Sequence, residues 1–99
     1  MTMAMPKLFT TYETADGTVV GPLRVYAADR IAAENTAHKR GWEWRDNPTN
    51  HSLMTFYAAK RTGSTDAADY STFVEELVDF QLTSEEPDED PTQEAPSAS

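Results

Sequence analysis

The chain has no cysteine. That excludes a disulfide framework and any thiolate metal site, and it fits a reducing cytoplasm. No apolar run approaches the length of a membrane span, and the opening MTMAMPK lacks the apolar core of a signal peptide. Glycine is scarce, with 4 in 99 residues. They stand singly at turn positions, so no phosphate-cradling loop exists. His38 and His51 are the only imidazoles. With no cysteine and no spaced carboxylate partner they do not form a zinc site. Ser52, Ser64 and Ser71 have no His and Asp in a triad arrangement, and Glu75 and Glu76 are adjacent and point in different directions. The expectation is no enzyme activity and no cofactor.

Positive charge is also in short supply. Lys and Arg number 8 against 17 Asp and Glu, for a net charge of −9. Glu85, Glu86, Asp88, Glu89, Asp90 and Glu94 follow Thr83 with no base among them, leaving −3 for residues 1–83. Repulsion then disfavours binding to phosphate backbones. The acids sit in a polar end, which reads as a solubilising tail. A chain of 99 residues makes at most one domain. With the tail set aside, a domain that small buries roughly 60% of its unfolded surface, so help from a partner or from self-association fits its marginal stability.

The remaining residues give an α+β fold: an N-terminal β-hairpin followed by three α-helices packed as a small bundle. Residues 1–6 read as a flexible N-terminus, 7–81 as a single folded domain, and 82–99 as a disordered acidic tail. The hairpin covers 7–26. Its arms are KLFTTYE and the run from Val19 to Tyr26, joined at Asp16-Gly17, a two-residue turn signal. Pro22 cannot donate to a ladder, so the second arm is an edge or carries a bulge. Leu8, Thr10 and Tyr12 share one face, with Leu23, Val25 and Val19 pointing the same way.

The first helix covers about 27–40. Alanine favours it, His38, Lys39 and Arg40 complement its dipole, and Gly41 stops it. Its apolar stripe reads as Ala28, Ile31, Ala32 and Thr36, with Ala37 nearby, and Arg30 can pair with Glu34. The second helix, about 48–62, starts with Asn47 as cap and Pro48 in its first turn, and Gly63 closes it. The third, about 70–79, is capped by Asp69 and buries Phe73, Val74 and Leu77, with Phe80 one turn further. The aromatics are many for so small a core. Trp42, Phe56 and Phe73 read as core residues. Trp44, Phe56, Tyr57, Tyr70 and Phe80 are the candidate protein-binding residues. Trp44, in a polar loop, is the best exposed anchor, because tryptophan is enriched in binding hot spots.

Several of these segments share a pattern. Asp29-Arg30-Ile31 is followed by Glu34, Thr36, Ala37 and Gly41-Trp42. The aromatic run Phe56-Tyr57-Ala58-Ala59-Lys60-Arg61-Thr62-Gly63 comes next, then Thr65-Asp66, then Tyr70, Phe73, Leu77 and Phe80, and last an acidic, proline-bearing end. Over about residues 7 to 95 the chain resembles the small tail assembly chaperones of long-tailed, siphovirus-type phages of actinobacteria. The resemblance implies a non-enzymatic protein of the host cell cytoplasm. Such a protein coats the tape measure protein, helps recruit tail tube subunits and leaves before the virion is complete. Many members of that class also have a longer form made by ribosomal frameshifting. The other roles compatible with the residues are a small head–tail or tail component retained in the virion, and an acidic inhibitor of a host nucleic-acid enzyme.

Overall fold

Asp16 organises the first turn. Its carboxylate accepts from the Thr14 hydroxyl at 2.6 Å and the Thr18 amide at 3.0 Å. Gly17 takes φ +89°, and the Thr14 amide donates to the Thr18 carbonyl at 2.9 Å. The loop therefore holds residues 15–18, wider than a two-residue turn. In this computed structural model, which describes residues 7–45 and 47–85, the turn joins β1 (Lys7–Thr14) to β2 (Val19–Arg24). The Thr14 hydroxyl first, and the Thr18 amide next, hold the Asp16 carboxyl down from the usual 3.8 to about 2. A depressed folded-state value stabilises above the unfolded value, and that stabilisation is lost as pH falls through the folded one. Asp16→Asn should therefore flatten the Tm-against-pH curve between about pH 4 and pH 2.

The second arm is irregular where Pro22 predicts it. Thr10 faces Leu23 and Tyr12 faces Val20, so Gly21 and Pro22 together oppose Thr11. This is a bulge, and its Gly21–Pro22 peptide is cis. It reverses the order of the two valines. Val20 turns toward the core, while Val19, expected inside, pairs with Glu13 on the open face and is 65% exposed. Gly21 sits at φ +123°, and an added Cβ would meet the Thr10 carbonyl at 2.7 Å and Thr11 Cα at 2.9 Å. Gly21→Ala should cost about 2 kcal/mol or more, combining backbone strain and that clash, as read from a urea midpoint.

α1 (Ala27–Lys39) and α2 (Pro48–Thr62) form where the helix signals place them. The Asn47 side chain accepts the Asn50 amide at 2.9 Å, Pro48 takes the first turn, and Gly63 closes α2 at φ +75°. Trp42 folds back as its amide donates to the Ala37 carbonyl at 2.8 Å. The buried face of α1 is Asp29, Ala33 and Ala37 rather than the expected stripe, so Ala28 and Ile31 point outward. Asp29 belongs to that buried face, its carboxylate turned inward to meet Arg61.

α3 (Tyr70–Glu76) is shorter than the expected 70–79 helix. From Leu77 the chain extends into β3 (Leu77–Glu85), which pairs antiparallel with β1 from Lys7↔Glu85 to Thr14↔Leu77. Residues 82–85, assigned to a disordered tail, thus belong to a strand. The sheet order is β2-β1-β3. The expectations of a flexible start at 1–6 and of a disordered tail at 86–99 fall outside the described residues.

The class is mixed α+β, but the helices do not form a bundle that simply follows a hairpin. Instead α2 lies against a three-stranded antiparallel sheet and touches all three strands, and α1 and α3 pack on α2. One cluster gathers Val25, Ala33, Ala37, Leu53, Met54 and Ala58. The other gathers Tyr12, Phe56, Ala59, Ala67 and Phe73. Between sheet and helix, the Thr10 and Thr55 hydroxyls lie 2.6 Å apart, both fully buried. Thr55 donates to the His51 carbonyl at 3.0 Å, so Thr10 donates to Thr55 and neither hydroxyl is left unsatisfied.

Candidate protein-binding surface

The five candidate residues do not form one exposed patch: Phe56 is buried, and Trp44, Tyr57, Tyr70 and Phe80 are half-buried against the two core clusters. Phe56 is 3% exposed. Its ring centroid lies 4.9 Å from Tyr57, 5.4 Å from Phe73 and 6.1 Å from Tyr70, with edge-on or tilted geometries. Tyr57 is half-buried, its hydroxyl 2.6 Å from that of Thr36 on α1. Tyr70 is held by Ser52 at 2.6 Å. Ser52 gives its proton to the Thr49 carbonyl, so the phenol is the donor. Trp44 packs half-buried against the first cluster, and Phe80 does the same on β3 against the second. Each tyrosine hydroxyl thus ties α2 to a neighbouring helix, the usual fate of a buried phenol.

Beside them, the Arg40 guanidinium lies over Trp42 at 5.2 Å and over Tyr70 at 5.4 Å. Trp42 and Tyr70 are themselves edge to face at 6.2 Å. This stack closes the C-terminal end of α1 onto the start of α3. Asp69 caps α3 by accepting the Thr72 amide at 2.9 Å. That hydrogen bond, with a smaller pull from Arg40, holds its carboxyl below the usual range.

A second polar node sits at the other end of α1. Asp29 is 3% exposed. Its carboxylate accepts Arg61 Nε at 3.1 Å on both oxygens, and the Tyr26 amide at 2.8 Å. Arg61 also donates to the Arg24 carbonyl at 2.6 Å and covers the Tyr26 ring at 3.8 Å. The end of α2 is thereby fixed to the end of β2 and the start of α1.

Among the described residues, the large apolar side chains that face solvent are Val19, Tyr26, Ile31, Val74 and Val78. Tyr26 is covered by Arg61. Ile31, 58% exposed, stands on the outer face of α1 beside Ala28. Val74 and Val78 flank the junction of α3 and β3, where Val78 is the extra residue between the Glu13 and Thr14 pairings. Helical spacing predicts buried stripes for Ile31 and Val74, and both are exposed. The contrary signal was Asp29, whose partner lies 32 residues away.

The described residues also line two polar clefts. One, about 700 Å³, lies under the tryptophan loop beside Trp42, Arg45 and Asn50. There the Asn50 amide nitrogen ties down the Glu43 and Arg45 carbonyls at 3.1 and 2.8 Å. The other, about 410 Å³, lies between the hairpin turn and the α2–α3 loop, with Asp16, Asp66 and Glu76 among its walls. Among the described residues, no group of three or more His, Asp or Glu converges as metal ligands would. His38 lies on the surface, 3.9 Å from Glu34, the carboxylate expected to pair with Arg30. No helix of the described residues is long and apolar enough to cross a membrane. Comparisons with models of known protein families, with curated proteins and with solved structures give no match.

Proposed function

We propose that this chain is a tail assembly chaperone, a non-enzymatic protein that binds and solubilises a long helical tape measure protein and helps recruit tail tube subunits in the host cytoplasm. One observation carries the reading. The two segments at the centre of the resemblance, Asp29-Arg30-Ile31 and the helix end containing Arg61, meet in the Asp29–Arg61 pair. That pair turns Asp29 inward and leaves Ile31 outward on α1. An outward isoleucine flanked by alanine suits docking against the apolar stripe of an extended helix. Phe56 lies in the core and Trp44, Tyr57, Tyr70 and Phe80 keep only part of their surface, so the main client contact is placed on the more exposed Ile31 of α1.

Ile31→Asp should leave the Tm within a few degrees, because an exposed substitution shifts stability by about 0.5 kcal/mol at most. It should weaken client binding about tenfold or more, the loss expected of an interface anchor. A pull-down of the tape measure protein with purified variants checks both. Mass spectrometry of finished virions separates this role from that of a retained head–tail or tail component. A chaperone is absent from the particle, whereas a component is present at fixed copy number.

A further inference from the structure

The two outer edges of the sheet are not alike. β2 is 6 residues long, and Pro22 and its bulge interrupt the outer edge. That is a common way of blocking edge pairing. β3 is 9 residues long with neither proline nor lysine or arginine in it. No strand of the described residues lies beyond it.

The backbone polarity of β3 follows from its neighbour. The Val25 amide donates to the Leu8 carbonyl at 2.8 Å, so Leu8 turns its backbone groups toward β2. By alternation Phe9, Thr11 and Glu13 turn theirs toward β3. Their partners Thr83, Gln81 and Asp79 are then the β3 residues bonded to β1. Phe80, Leu82 and Ser84 direct N–H and C=O groups outward, where the Phe80 N–H is held only by the neighbouring Asp79 carboxylate at 2.8 Å, a local bond that an added strand would replace. The same Phe80 and Leu82 are half-buried at the rim of the core. An added strand would pair their backbones and cover the rest of their side chains.

We propose that β3 is a homodimer edge, pairing antiparallel with β3 of a second copy about a two-fold axis near Gln81. The strand is self-complementary in that register. Phe80 faces Leu82, Asp79 faces Thr83, Val78 faces Ser84, and no like charges are opposed. Phe80 and Leu82 lie on the helix side of both sheets, so the paired strands continue one apolar layer. Charge selects the direction. Residues 86–99 carry five more acids after Glu85. Parallel copies would bring those acids together, whereas antiparallel pairing separates the two points of departure by about 27 Å, the length of the strand. This pairing is independent of the chaperone reading.

Position 81 tests it. Gln81 is exposed on the open face of the sheet, opposite Thr11, so charge there leaves the core untouched. In the dimer the two Gln81 side chains are neighbours. Sedimentation velocity of the full chain should show a monomer–dimer equilibrium that tightens with salt. Gln81→Lys and Gln81→Glu should each weaken it about fivefold, the scale of a directly opposed like-charge pair. An equimolar mixture of the two variants should dimerise more tightly than either alone. In the wild type, exchange of the Phe80 and Leu82 amides should slow as concentration rises. A chain that stays monomeric at about 500 µM, the range of weak association, overturns the proposal. So does a dimer indifferent to charge at position 81, or one that leaves those amides unprotected. Pairing that appears only when a client is added also overturns it, since the edge would then belong to the client. Repeating the client pull-down with Gln81→Lys keeps the two readings separate.

Discussion

Phe56→Ala should cost about 4 kcal/mol of folding stability, the loss typical of a buried phenylalanine. Phe56 is 3% exposed and faces the rings of Tyr57, Tyr70 and Phe73. Tyr57 and Tyr70 border both core clusters, so the deleted ring is shared by the two halves of the core. The residues around it are fixed by other bonds. Tyr57 is held to Thr36, and Tyr70 to Ser52. They cannot collapse into the space without breaking those hydrogen bonds, which places the cost toward the upper part of the range. A domain of this size has little stability to spare. The variant should therefore be largely unfolded at 37 °C, visible as lost near-ultraviolet dichroism and a lowered denaturant midpoint. Tyr70→Phe keeps the ring and removes the donor to Ser52, so it should cost only about 1 kcal/mol. A Phe56→Ala chain that melts like the wild type would mean that this ring is not part of the core.

Arg61→Ala should cost about 2–3 kcal/mol. Breaking a buried pair by removing one partner is expensive because the other charge stays buried. Asp29 is that charge, and it would keep only the Tyr26 amide as donor. The Arg61 side chain is 30% exposed, so water reaching the vacated space reduces the loss somewhat. Two further contacts go with it: the bond to the Arg24 carbonyl, which ties α2 to β2, and the cover over Tyr26. Arg61→Lys should restore little of this, because an ammonium cannot serve both carboxylate oxygens and the carbonyl in the same fork. In a double-mutant cycle with Asp29→Ala, the two losses should be strongly non-additive. Thermal unfolding of the three variants measures it. Independent, additive losses would show that the two side chains do not act as a unit.

How legible the fold is varies with the kind of signal. Local chemistry reads well. Asn47, Pro48 and Gly63 bound α2, Gly41 ends α1, and Pro22 marks an interrupted edge, because each acts within a few residues of itself. The face of α1 reads poorly. Its buried side is Asp29, Ala33 and Ala37, and alanines do not stand out from the alanines around them. The one large apolar residue on that helix is the outward Ile31. A charged residue turned inward is invisible until its distant partner is known. β3 was missed for a different reason. Phe73, Leu77 and Phe80 are spaced four and three apart, as on a helix, yet Phe80 and Leu82 also keep the period of two of a strand. The need of β1 for a second neighbour decides between them, and that need is not local. The candidate aromatics follow the same logic. Their abundance was plain, but the hydroxyl partners Thr36 and Ser52, which turn Tyr57 and Tyr70 inward, are small polar residues with no signature of their own.

The central proposal is that the outer face of α1 holds a long helical client. The most direct test is to express a tape measure protein of the proposed class, alone and together with the chain, and to weigh the soluble and co-purified client. The account predicts an insoluble client alone, a soluble complex with the wild-type chain, and loss of that complex with folded Ile31→Asp. A client equally soluble without the chain, or a complex undiminished by Ile31→Asp, would contradict it.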